Sequence, residues 1–153
     1  MPVSAKVRKP DMSKSQHLTV ISTTWAMHQP HLAAVRTPVF ITEQLVTPEF
    51  EWDDQDATAT HLLALLGDEP VGCARIVGNK IQRMAVLQAH RKHGVGLALL
   101  LKAVEIIKNG HFKTVKLSAQ THAIGFYLRG GFVVTSEVYQ DLHIPHVDME
   151  MTL

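Results

Sequence analysis

The sequence predicts one α/β domain whose sheet is mostly antiparallel and is flanked by helices. Three short strand patterns follow one another between positions 61 and 86, separated only by turn signals, which indicates an antiparallel meander. A long amphipathic helix pattern and a strictly alternating strand pattern come directly afterwards. The chain has 153 residues, the usual size of a single domain, so we expect these elements to share one core.

The residues before the meander predict a tail, a strand and a divided helix. Residues 1–16 contain two prolines and no hydrophobic period, which predicts a mobile N-terminal tail and leaves residues 17–153 as a single folded domain. The β-branched run 18–21 predicts the first strand. Apolar residues at near-helical spacing over residues 30–44 predict a helix, which Pro38 divides into two short pieces.

The meander and the residues that lead into it are marked by charge and by turn signals. Residues 47–56 carry five acidic side chains and one proline, which predicts a polar loop. This loop is either a solvated surface segment or a negatively charged region that attracts a cationic acceptor. The strands of the meander are predicted at His61–Leu66, Val71–Val77 and Lys80–Val86.

The second half of the chain predicts a helix, a strand and a further helix. The 3.6-residue period begins at Gly94 and ends at Asn109-Gly110, a typical helix C-terminus. The alternation over Lys113–Gln120 predicts a strand beside this helix. A second helix from about His122 to Arg129 and strands near Phe132–Thr135 and Val147–Thr152 complete the predicted fold.

Composition and charge argue against several classes of protein. The formal net charge is +1, too small for the clustered basic face that nucleic-acid binding needs. The longest apolar run, Val95–Ala103, is far shorter than the roughly 20 residues of a membrane-spanning helix. The first sixteen residues lead into no apolar core of a signal peptide, so a cytoplasmic location is expected.

Cysteine and histidine usage argues against thiol and metal chemistry. Cys73 is the only cysteine, and its neighbours Gly72 and Ala74 indicate a buried strand position. The ten histidines show no pair at metal-ligand spacing on one predicted helix. We therefore predict neither a catalytic thiol nor a metal site.

The most informative motif is Arg91-Lys92-His93-Gly94-Val95-Gly96, between the last meander strand and the long helix. A helix N-terminus presents unpaired N–H groups and the positive end of the helix dipole, which bind phosphate where side chains leave access. Gly94 and Gly96 leave that access, and Arg91 and Lys92 add cationic partners. The GxxxxGK[ST] pattern is absent, and Leu99 stands where a dinucleotide motif requires a small residue. The motif predicts a pyrophosphate-bearing ligand without an obligatory metal, although alone it is equally consistent with a glycine-containing helix entry.

Further motifs surround this loop. They are Arg83-Met84-Ala85-Val86 before it and Gly125-Phe126-Tyr127 and Gly131-Phe132 after it, with matching segments at 39–44, 56–61, 119–123 and 144–147. Together with R-x-x-G-x-G they resemble the GNAT superfamily of N-acetyltransferases, in particular a small, mainly bacterial branch. The resemblance covers nearly all of residues 18–151. It implies a mixed, mostly antiparallel sheet whose central strands splay to form a cofactor cleft.

For the co-substrate, the resemblance implies acetyl-CoA and no metal. The pantetheine arm enters between the strands at Ile81–Val86 and Lys113–Gln120, and the pyrophosphate lies on N–H groups of residues 93–98. The cofactor-binding residues that the resemblance implies are Met84, Ala85, Val86, Arg91, Lys92, His93, Gly94, Val95, Gly96, Leu97, Ala98, Gln120, Ala123, Phe126 and Tyr127.

For catalysis, the resemblance implies direct attack of a neutral amine on the thioester in a ternary complex. Tyr127 resembles the tyrosine of the superfamily that protonates the departing sulfur. Without the resemblance, its helical spacing with Ile124 and Leu128 indicates a core aromatic side chain. Glu43, His122 and His146 remain open as candidates for the base that takes the amine proton.

The acceptor is predicted to be a primary amine of a small molecule or a peptide. The predicted substrate-binding residues are Phe40, Glu43, Arg75, Arg83 and His146. Arg75 and Arg83 equally fit pairing with the acidic loop. A homodimer is common among such proteins, and the alternative function is a non-catalytic acyl-CoA-binding module that senses cofactor level.

Two residues depart from the pattern of this family. Pro38 stands where a charged residue is more common, which predicts a bent substrate-side helix. Gly130 stands where a larger residue is common, which predicts a looser turn around Tyr127.

Overall fold

The structure is a computed structural model that describes residues 17–153, and the predicted tail lies outside these residues. The described strands are β1 (Leu18–Thr23), β2 (Thr60–Leu66), β3 (Glu69–Val77), β4 (Lys80–Val86), β5 (Thr114–Gln120), β6 (Val133–Val134), β7 (Tyr139–Asp141) and β8 (Ile144–Thr152). They form one sheet in the order β1-β2-β3-β4-β5-β8-β6, and β7 pairs with β8. All paired strands are antiparallel except β4 and β5. The predicted fold class, a mostly antiparallel sheet with flanking helices, is confirmed.

Helices cover both faces of the sheet. Their bounds are α1 (Trp25–Arg36), α2 (Pro48–Glu51), α3 (Val95–Asn109) and α4 (Ile124–Arg129). On one face, Leu62 and Ala64 of β2 belong to the core cluster that includes Leu99 of α3. Leu63, between them in sequence, packs instead with Leu32 of α1 on the opposite face. This alternation buries β2 on both sides and gives the sheet two apolar layers. Within the described range, no helix is long and apolar enough to cross a membrane.

The first helix begins earlier than predicted, and its irregularity lies elsewhere. It starts at Trp25, and the Thr24 hydroxyl caps it by accepting a hydrogen bond from the Met27 N–H at 3.3 Å. A kink lies at His28, whose φ of −132° is not helical, two residues before Pro30. The predicted start near residue 30 was wrong. Proline is typical of the first turn of a helix, whereas Pro30 lies inside this one.

The chain passes through Pro38 without a break. Residues Thr37–Glu43 form a π-helix that continues α1. Pro38 has no N–H, so the regular bond to the fourth residue back is missing at this position. The wider turn lets the Gln44 N–H donate to the Val39 carbonyl five residues back, at 3.2 Å. The predicted division at Pro38 is therefore wrong, because the helical segment continues through Pro38 as far as Glu43.

The acidic segment, residues 47–57, is not a solvated loop. It contains α2 and a 3₁₀ turn, Asp54–Ala57, closed by a capping box between Asp53 and Asp56. Glu51 and Asp56 are only 2% and 3% exposed because they pair with arginines from α1, β3 and β4. Much of the negative charge of this segment is therefore neutralised inside the chain, which removes the argument for a cationic acceptor.

The strand β7 had no recognisable signal in the sequence. It forms a hairpin with β8 through Leu142 and His143, whose φ angles are 49° and 65°. Two successive residues with positive φ are the requirement of a type I′ turn, which is usually met by Asn-Gly. Because Leu-His does not announce such a turn, only the later part of β8 was predicted.

The parallel strands β4 and β5 are joined only where the beginning of β4 meets the middle of β5. The last paired residues are Ile81 and Leu117. Immediately beyond, β4 contains a bulge in which Arg83 and Met84 together face Ala74 of β3. The two strands separate from this point, as the splayed-strand expectation required, and the gap between them is open.

Candidate active site

A cleft of about 1140 Å³ occupies the gap between β4 and β5. It is larger than the roughly 300–1,000 Å³ of a typical small-molecule pocket, so it accommodates a ligand longer than a drug-sized compound. Predicted site residues that line it are Phe40, Glu43, Met84, Ala85, Val86, Gln120, His122, Ala123, Phe126, Tyr127 and His146. The structure thus brings together residues that lie as far apart in sequence as the π-helix and β8.

Part of the cleft wall is the N-terminus of α3. Gly94 occupies the N-cap position with φ 83°, and no side chain caps the helix there. The first N–H groups of the helix, those of residues 95–97, are therefore open to an anion. The Ala98 N–H is not, because it donates to the Gly94 carbonyl at 3.0 Å. The prediction that Ala98 helps to hold a pyrophosphate is wrong, since the first turn of a helix ends before it.

The other residues of the glycine loop divide between the cleft and its surroundings. Lys92, Gly96 and Leu97 line the cleft, and a Cβ at position 96 would lie only 3.4 Å from the Phe126 ring. The Val95 side chain is buried in the core, whereas the His93 side chain is exposed and does not line the cleft. Of these last two side chains, that of Val95 is closed to a ligand and that of His93 lies outside the cleft lining.

Arg91 spans part of the cleft. Its Nε donates to the Val86 carbonyl at 2.9 Å, and its two Nη atoms donate to both oxygens of Glu43 at 3.0 and 2.7 Å. The two side chains are 38% and 35% exposed. An exposed ion pair contributes at most about 1 kcal/mol, so an incoming phosphate competes effectively for Arg91. While the pair is intact, each oxygen of Glu43 accepts one hydrogen bond from Arg91.

Tyr127 has a ring that packs in the core and a hydroxyl that remains available to the cleft. Its ring packs edge-on against Phe126 and Phe132, at centroid distances of 5.0 and 6.0 Å. Its hydroxyl has no described hydrogen-bond partner, yet no buried polar side-chain atom among residues 17–153 is left unpaired, so the hydroxyl is accessible from the cleft. Burial raises the pKa of Tyr127 to about 12, which keeps the hydroxyl protonated at neutral pH.

The turn that follows Tyr127 is tight. The Gly130 N–H donates to the Phe126 carbonyl at 3.2 Å, and the Phe132 N–H donates to the Tyr127 carbonyl at 3.0 Å. A Cβ at Gly130 would lie 2.7 Å from a methyl group of Leu100. The glycine lets α3 approach this turn closely, so the predicted loosening is wrong.

A hydrogen-bonded chain links the end of the π-helix to the end of β5. The Gln120 side-chain amide donates to Gln44 Oε1 at 2.7 Å, and the Gln44 amide donates back at 3.2 Å. His122 Nε2 lies 2.6 Å from Gln120 Oε1. Since that oxygen can only accept, Nε2 carries the proton, and the lone pair of His122 is on Nδ1. Gln44 was not predicted as a site residue, because nothing in the sequence pairs it with Gln120.

His146 presents the second imidazole of the cleft. Its Nδ1 lies 2.7 Å from the Ile144 carbonyl, so Nδ1 carries the proton and Nε2 holds a lone pair. Although the residue is only 9% exposed, Nε2 has no hydrogen-bond partner within residues 17–153 and is not fully buried, which leaves it accessible. Tyr139 stacks on the ring at 6.1 Å and donates to Asp148 at 2.6 Å. Tyr139 was missed together with the rest of β7.

Arg75 and Arg83 take the alternative that the sequence left open. Arg75 is 1% exposed, and its guanidinium donates to Asp53 and Asp56 at 2.7 and 3.0 Å. The prediction that it binds substrate is wrong, because its donors are enclosed by the acidic segment. Arg83 lines the cleft, but its guanidinium is directed to Asp53 and to the Glu51 carbonyl. It is therefore also committed within the chain.

Comparison with known proteins gives a consistent result. The family model for the acetyltransferase (GNAT) domain matches residues 28–153. The uncharacterized N-acetyltransferase YjcF of Bacillus subtilis (strain 168) is 37% identical over 121 residues, which cover 75% of this chain and 86% of that protein. The crystal structure of Escherichia coli ElaA matches with a TM-score of 0.78 and 30% identity over 88% of this chain and 99% of that one. An acyl-CoA N-acyltransferase from Pseudomonas aeruginosa matches with a TM-score of 0.78 and 29% identity over 89% and 100% of the two chains.

The splayed sheet, the uncapped helix N-terminus and the Tyr127 hydroxyl thus meet in one cleft, the arrangement that the resemblance to the GNAT superfamily implies. The chain belongs to the GNAT acetyltransferase family. It is accordingly an acetyl-CoA-dependent acyltransferase. The cleft fits this co-substrate in volume and in the donors that it offers to phosphate. Over residues 17–153 there is no group of three His, Cys, Asp or Glu side chains arranged to hold a metal.

Proposed function

We propose that the chain transfers the acetyl group of acetyl-CoA to a primary amine of a small molecule or peptide, by direct attack in a ternary complex. The observation that carries the proposal is one cleft that joins an open helix N-terminus to a protonated phenol and an imidazole lone pair. An acyl-CoA thioester and an attacking amine require these groups together, because one partner brings phosphates and the reaction moves protons.

The phosphates are bound at the start of α3. The N–H groups of residues 95–97 donate to the anion, and Arg91 and Lys92 add positive charge. Arg91 exchanges Glu43 for the phosphate, which frees the Glu43 carboxylate to face the acceptor. Backbone groups of Met84 and Val86 hold the pantetheine arm. The Val86 carbonyl keeps a second lone pair for this purpose beside its bond to Arg91.

Tyr127 supplies the proton for the leaving group. Acetyl-CoA provides an activated acetyl group and a thiolate that must leave. A phenol with a pKa near 12 is fully protonated at neutral pH and becomes a donor when the thiolate's negative charge develops beside it. Its ring cannot turn away freely, because it is held between Phe126 and Phe132.

His146 fits the base better than the other two candidates. Glu43 is exposed, and its orientation changes when Arg91 is released; His122 is also exposed on the surface. His146 is enclosed, its Nδ1–H is fixed by a backbone carbonyl, and Tyr139 holds one face of the ring. Its accessible Nε2 lone pair is therefore oriented before the acceptor arrives.

A covalent acetyl-cysteine route lacks support. Cys73 is the only cysteine of the chain, and its side chain is buried. Burial raises the pKa of this thiol to about 12, so the nucleophilic thiolate is not formed at neutral pH. Direct transfer from the thioester to the amine is the remaining simple route.

The test is release of free CoA thiol from acetyl-CoA in the presence of a panel of primary amines and amino-terminal peptides. We expect one class of amine to accelerate release and to appear as its N-acetyl product. Double-reciprocal plots against the two substrates should intersect, whereas parallel lines would indicate a covalent intermediate and contradict the ternary complex. Binding of acetyl-CoA without acceleration by any member of the panel would favour the sensor alternative. A cytoplasmic location belongs to this proposal and is supported by the sequence alone.

A further inference from the structure

We propose that Arg83 is a positioning residue: its side chain, held by the acidic segment, keeps β4 bulged and the cofactor cleft open. The inference rests on the proposed acetyl-CoA site. It assigns a supporting role to the acidic segment, most of which lies outside the predicted site. It also gives Arg83, which was predicted to bind substrate, a role in holding β4.

The bulge lies where the cleft begins. Residues 72 and 73 of β3 pair with 86 and 85 of β4, whereas residues 75 and 76 pair with 82 and 81. Ala74 therefore faces two residues, Arg83 and Met84, and the extra residue turns the second half of β4. The pairing of β4 with β5 has already ended at Ile81. The change of strand direction at the bulge therefore places Met84–Val86 along the gap between β4 and β5.

The conformation that makes this bulge is unfavourable for arginine. Arg83 has φ 53°, in the left-handed region that residues with a Cβ rarely adopt. A strained residue of this kind persists only where its surroundings fix it. Without such contacts, the strand would relax toward regular extended pairing, and the turn into the cleft would be lost.

The acidic segment supplies the required contacts. The Arg83 Nη2 donates to the Phe50 and Glu51 carbonyls, each at 3.2 Å, and lies 3.3 Å from an oxygen of Asp53. Its Nε lies 3.3 Å from an oxygen of the Glu51 side chain. The guanidinium thus ties the bulge to both α2 and the start of the 3₁₀ turn.

The acidic segment is itself held in place by other arginines. Arg36 of α1 bonds to Glu51 at 2.8 Å and to Asp56 at 2.7 Å, and its guanidinium contacts the rings of Trp25 and Trp52, 5.3 and 4.8 Å from their centroids. Removal of the Arg83 side chain leaves none of the acids unpaired, because Glu51 keeps Arg36 and Asp53 keeps Arg75. Arg83 variants are therefore expected to fold.

The experiment compares Arg83→Ala with Arg83→Gly, using isothermal titration with acetyl-CoA. Both variants remove the guanidinium, but only alanine retains the Cβ that disfavours positive φ. We expect Arg83→Ala to weaken acetyl-CoA binding on the order of tenfold, the factor that corresponds to the cost of a left-handed residue, and Arg83→Gly to remain within about threefold of the wild type. Urea unfolding of both variants checks that each is folded during titration.

Two controls make the result specific. Lys80→Ala and Lys80→Gly change the same strand at a residue without positive φ, where glycine should bind acetyl-CoA no better than alanine. Asp53→Asn should weaken binding more in the wild-type background than in the Arg83→Gly background, because only Arg75, and no longer Arg83, remains as its partner in the second.

Two outcomes overturn the inference. Equal weakening by alanine and glycine would mean that the guanidinium itself contacts the ligand, and unchanged binding in both would mean that the bulge needs no anchor. Failure of the wild-type protein to bind acetyl-CoA would instead contradict the proposed function, so the two failures are distinguishable.

Discussion

At the scale of single residues, the site depends on side chains that satisfy packing and chemistry together. The Tyr127 ring belongs to the core cluster around α3, whereas its hydroxyl is left unbonded toward the cleft. His146 is similarly enclosed, with one nitrogen committed to a carbonyl and the other available. Each group is therefore oriented by contacts that do not consume its reactive atom, which is the arrangement expected of preorganised proton donors and acceptors.

Tyr127→Phe should separate the packing of the Tyr127 ring from the chemistry of its hydroxyl. Because the ring contacts remain and no protein hydrogen bond is lost, the free energy of unfolding and acetyl-CoA affinity should stay close to those of the wild type. The rate of acetyl transfer should fall by roughly 10²-fold or more, since a general acid is removed. Steady-state thiol release with the preferred amine measures the rate. Full activity of the variant across the pH range would rule out Tyr127 as the acid.

His146→Gln should slow transfer most strongly at neutral pH. If His146 accepts the amine proton, the loss should be roughly 10²-fold near pH 7 and should shrink as the pH approaches the pKa of the amine, because the acceptor then arrives deprotonated. A pH–rate profile of the variant against the wild type measures this convergence. His111→Gln, in an exposed turn outside the cleft lining, is the matched control and should follow the wild-type profile. A loss of the same size at every pH would contradict removal of the amine proton by His146 before the attack.

At the scale of elements, the site is built where regular structure is interrupted. The cleft is bordered by the π-helical end of α1, the bulge in β4, the uncapped start of α3 and the hairpin that leads into β8. Each interruption moves a backbone or side-chain group that a regular element would place elsewhere. Positive φ angles at Arg83 and Gly94 are the local signature of this construction.

The turn after α4 gives a stability prediction at this scale. Gly130→Ala should lower the free energy of unfolding by about 1–3 kcal/mol, because the new methyl group would have to displace Leu100 from its packed position. Gly125→Ala is the matched control in the same short helix. A Cβ there meets only the flexible end of Arg129 at 3.4 Å, so helix propensity should leave stability unchanged or raised by up to about 1 kcal/mol. Urea titration of both variants measures the two changes in the free energy of unfolding. Equal changes would contradict the close packing of α3 on this turn.

Local patterns explain how much of this could be predicted from the sequence. The meander, α3 and β5 follow from hydrophobic period and turn residues, and the glycine loop from the chemistry of helix N-termini. The bridges across the cleft could not be predicted, because Arg91 lies 48 residues from Glu43 and Gln120 lies 76 residues from Gln44. The kink near Pro30 and the Leu-His turn were missed for a different reason: the backbone there adopts conformations that its residues do not usually signal.

At the scale of the whole molecule, buried charge joins α1, the acidic segment and the central strands into one unit. Arg36 and Arg75 lie at 1% exposure with their acids around them, and His61 contacts Asp56 from β2 through a bond of 2.8 Å to its carbonyl. Breaking one partner of such a cluster leaves a buried charge without compensation. The cluster therefore makes the stability of the fold dependent on pH.

Acidification should destabilise the protein in two stages. Burial lowers the pKa of His61 below its usual 6.5, so below about pH 6.5 the unfolded chain takes up a proton that the folded chain does not, and stability falls. Burial alone would raise the pKa of Asp56, but hydrogen bonds from Arg36 and Arg75 outweigh it and hold the pKa below its usual 3.8. The stability that Asp56 contributes is present above about pH 3.8 and is lost as the pH falls through its folded pKa.

Urea unfolding between about pH 7 and pH 5 measures the first stage. The free energy of unfolding should decrease toward lower pH in the wild type, and the slope should be smaller in His61→Gln, which has no imidazole to titrate. His111→Gln, at an exposed position, should keep the wild-type slope. Identical slopes in all three proteins would contradict a buried neutral His61.

The central claim, that the cleft between β4 and β5 is an acetyl-CoA site with its phosphates at the start of α3, is tested most directly by isothermal titration of the chain with acetyl-CoA. We expect one molecule to bind per chain with a Kd on the order of micromolar, and Arg91→Gln to weaken binding roughly tenfold through loss of a charged hydrogen bond. Absence of binding by the wild-type protein, or binding that Arg91→Gln leaves unchanged, would contradict this account of the site.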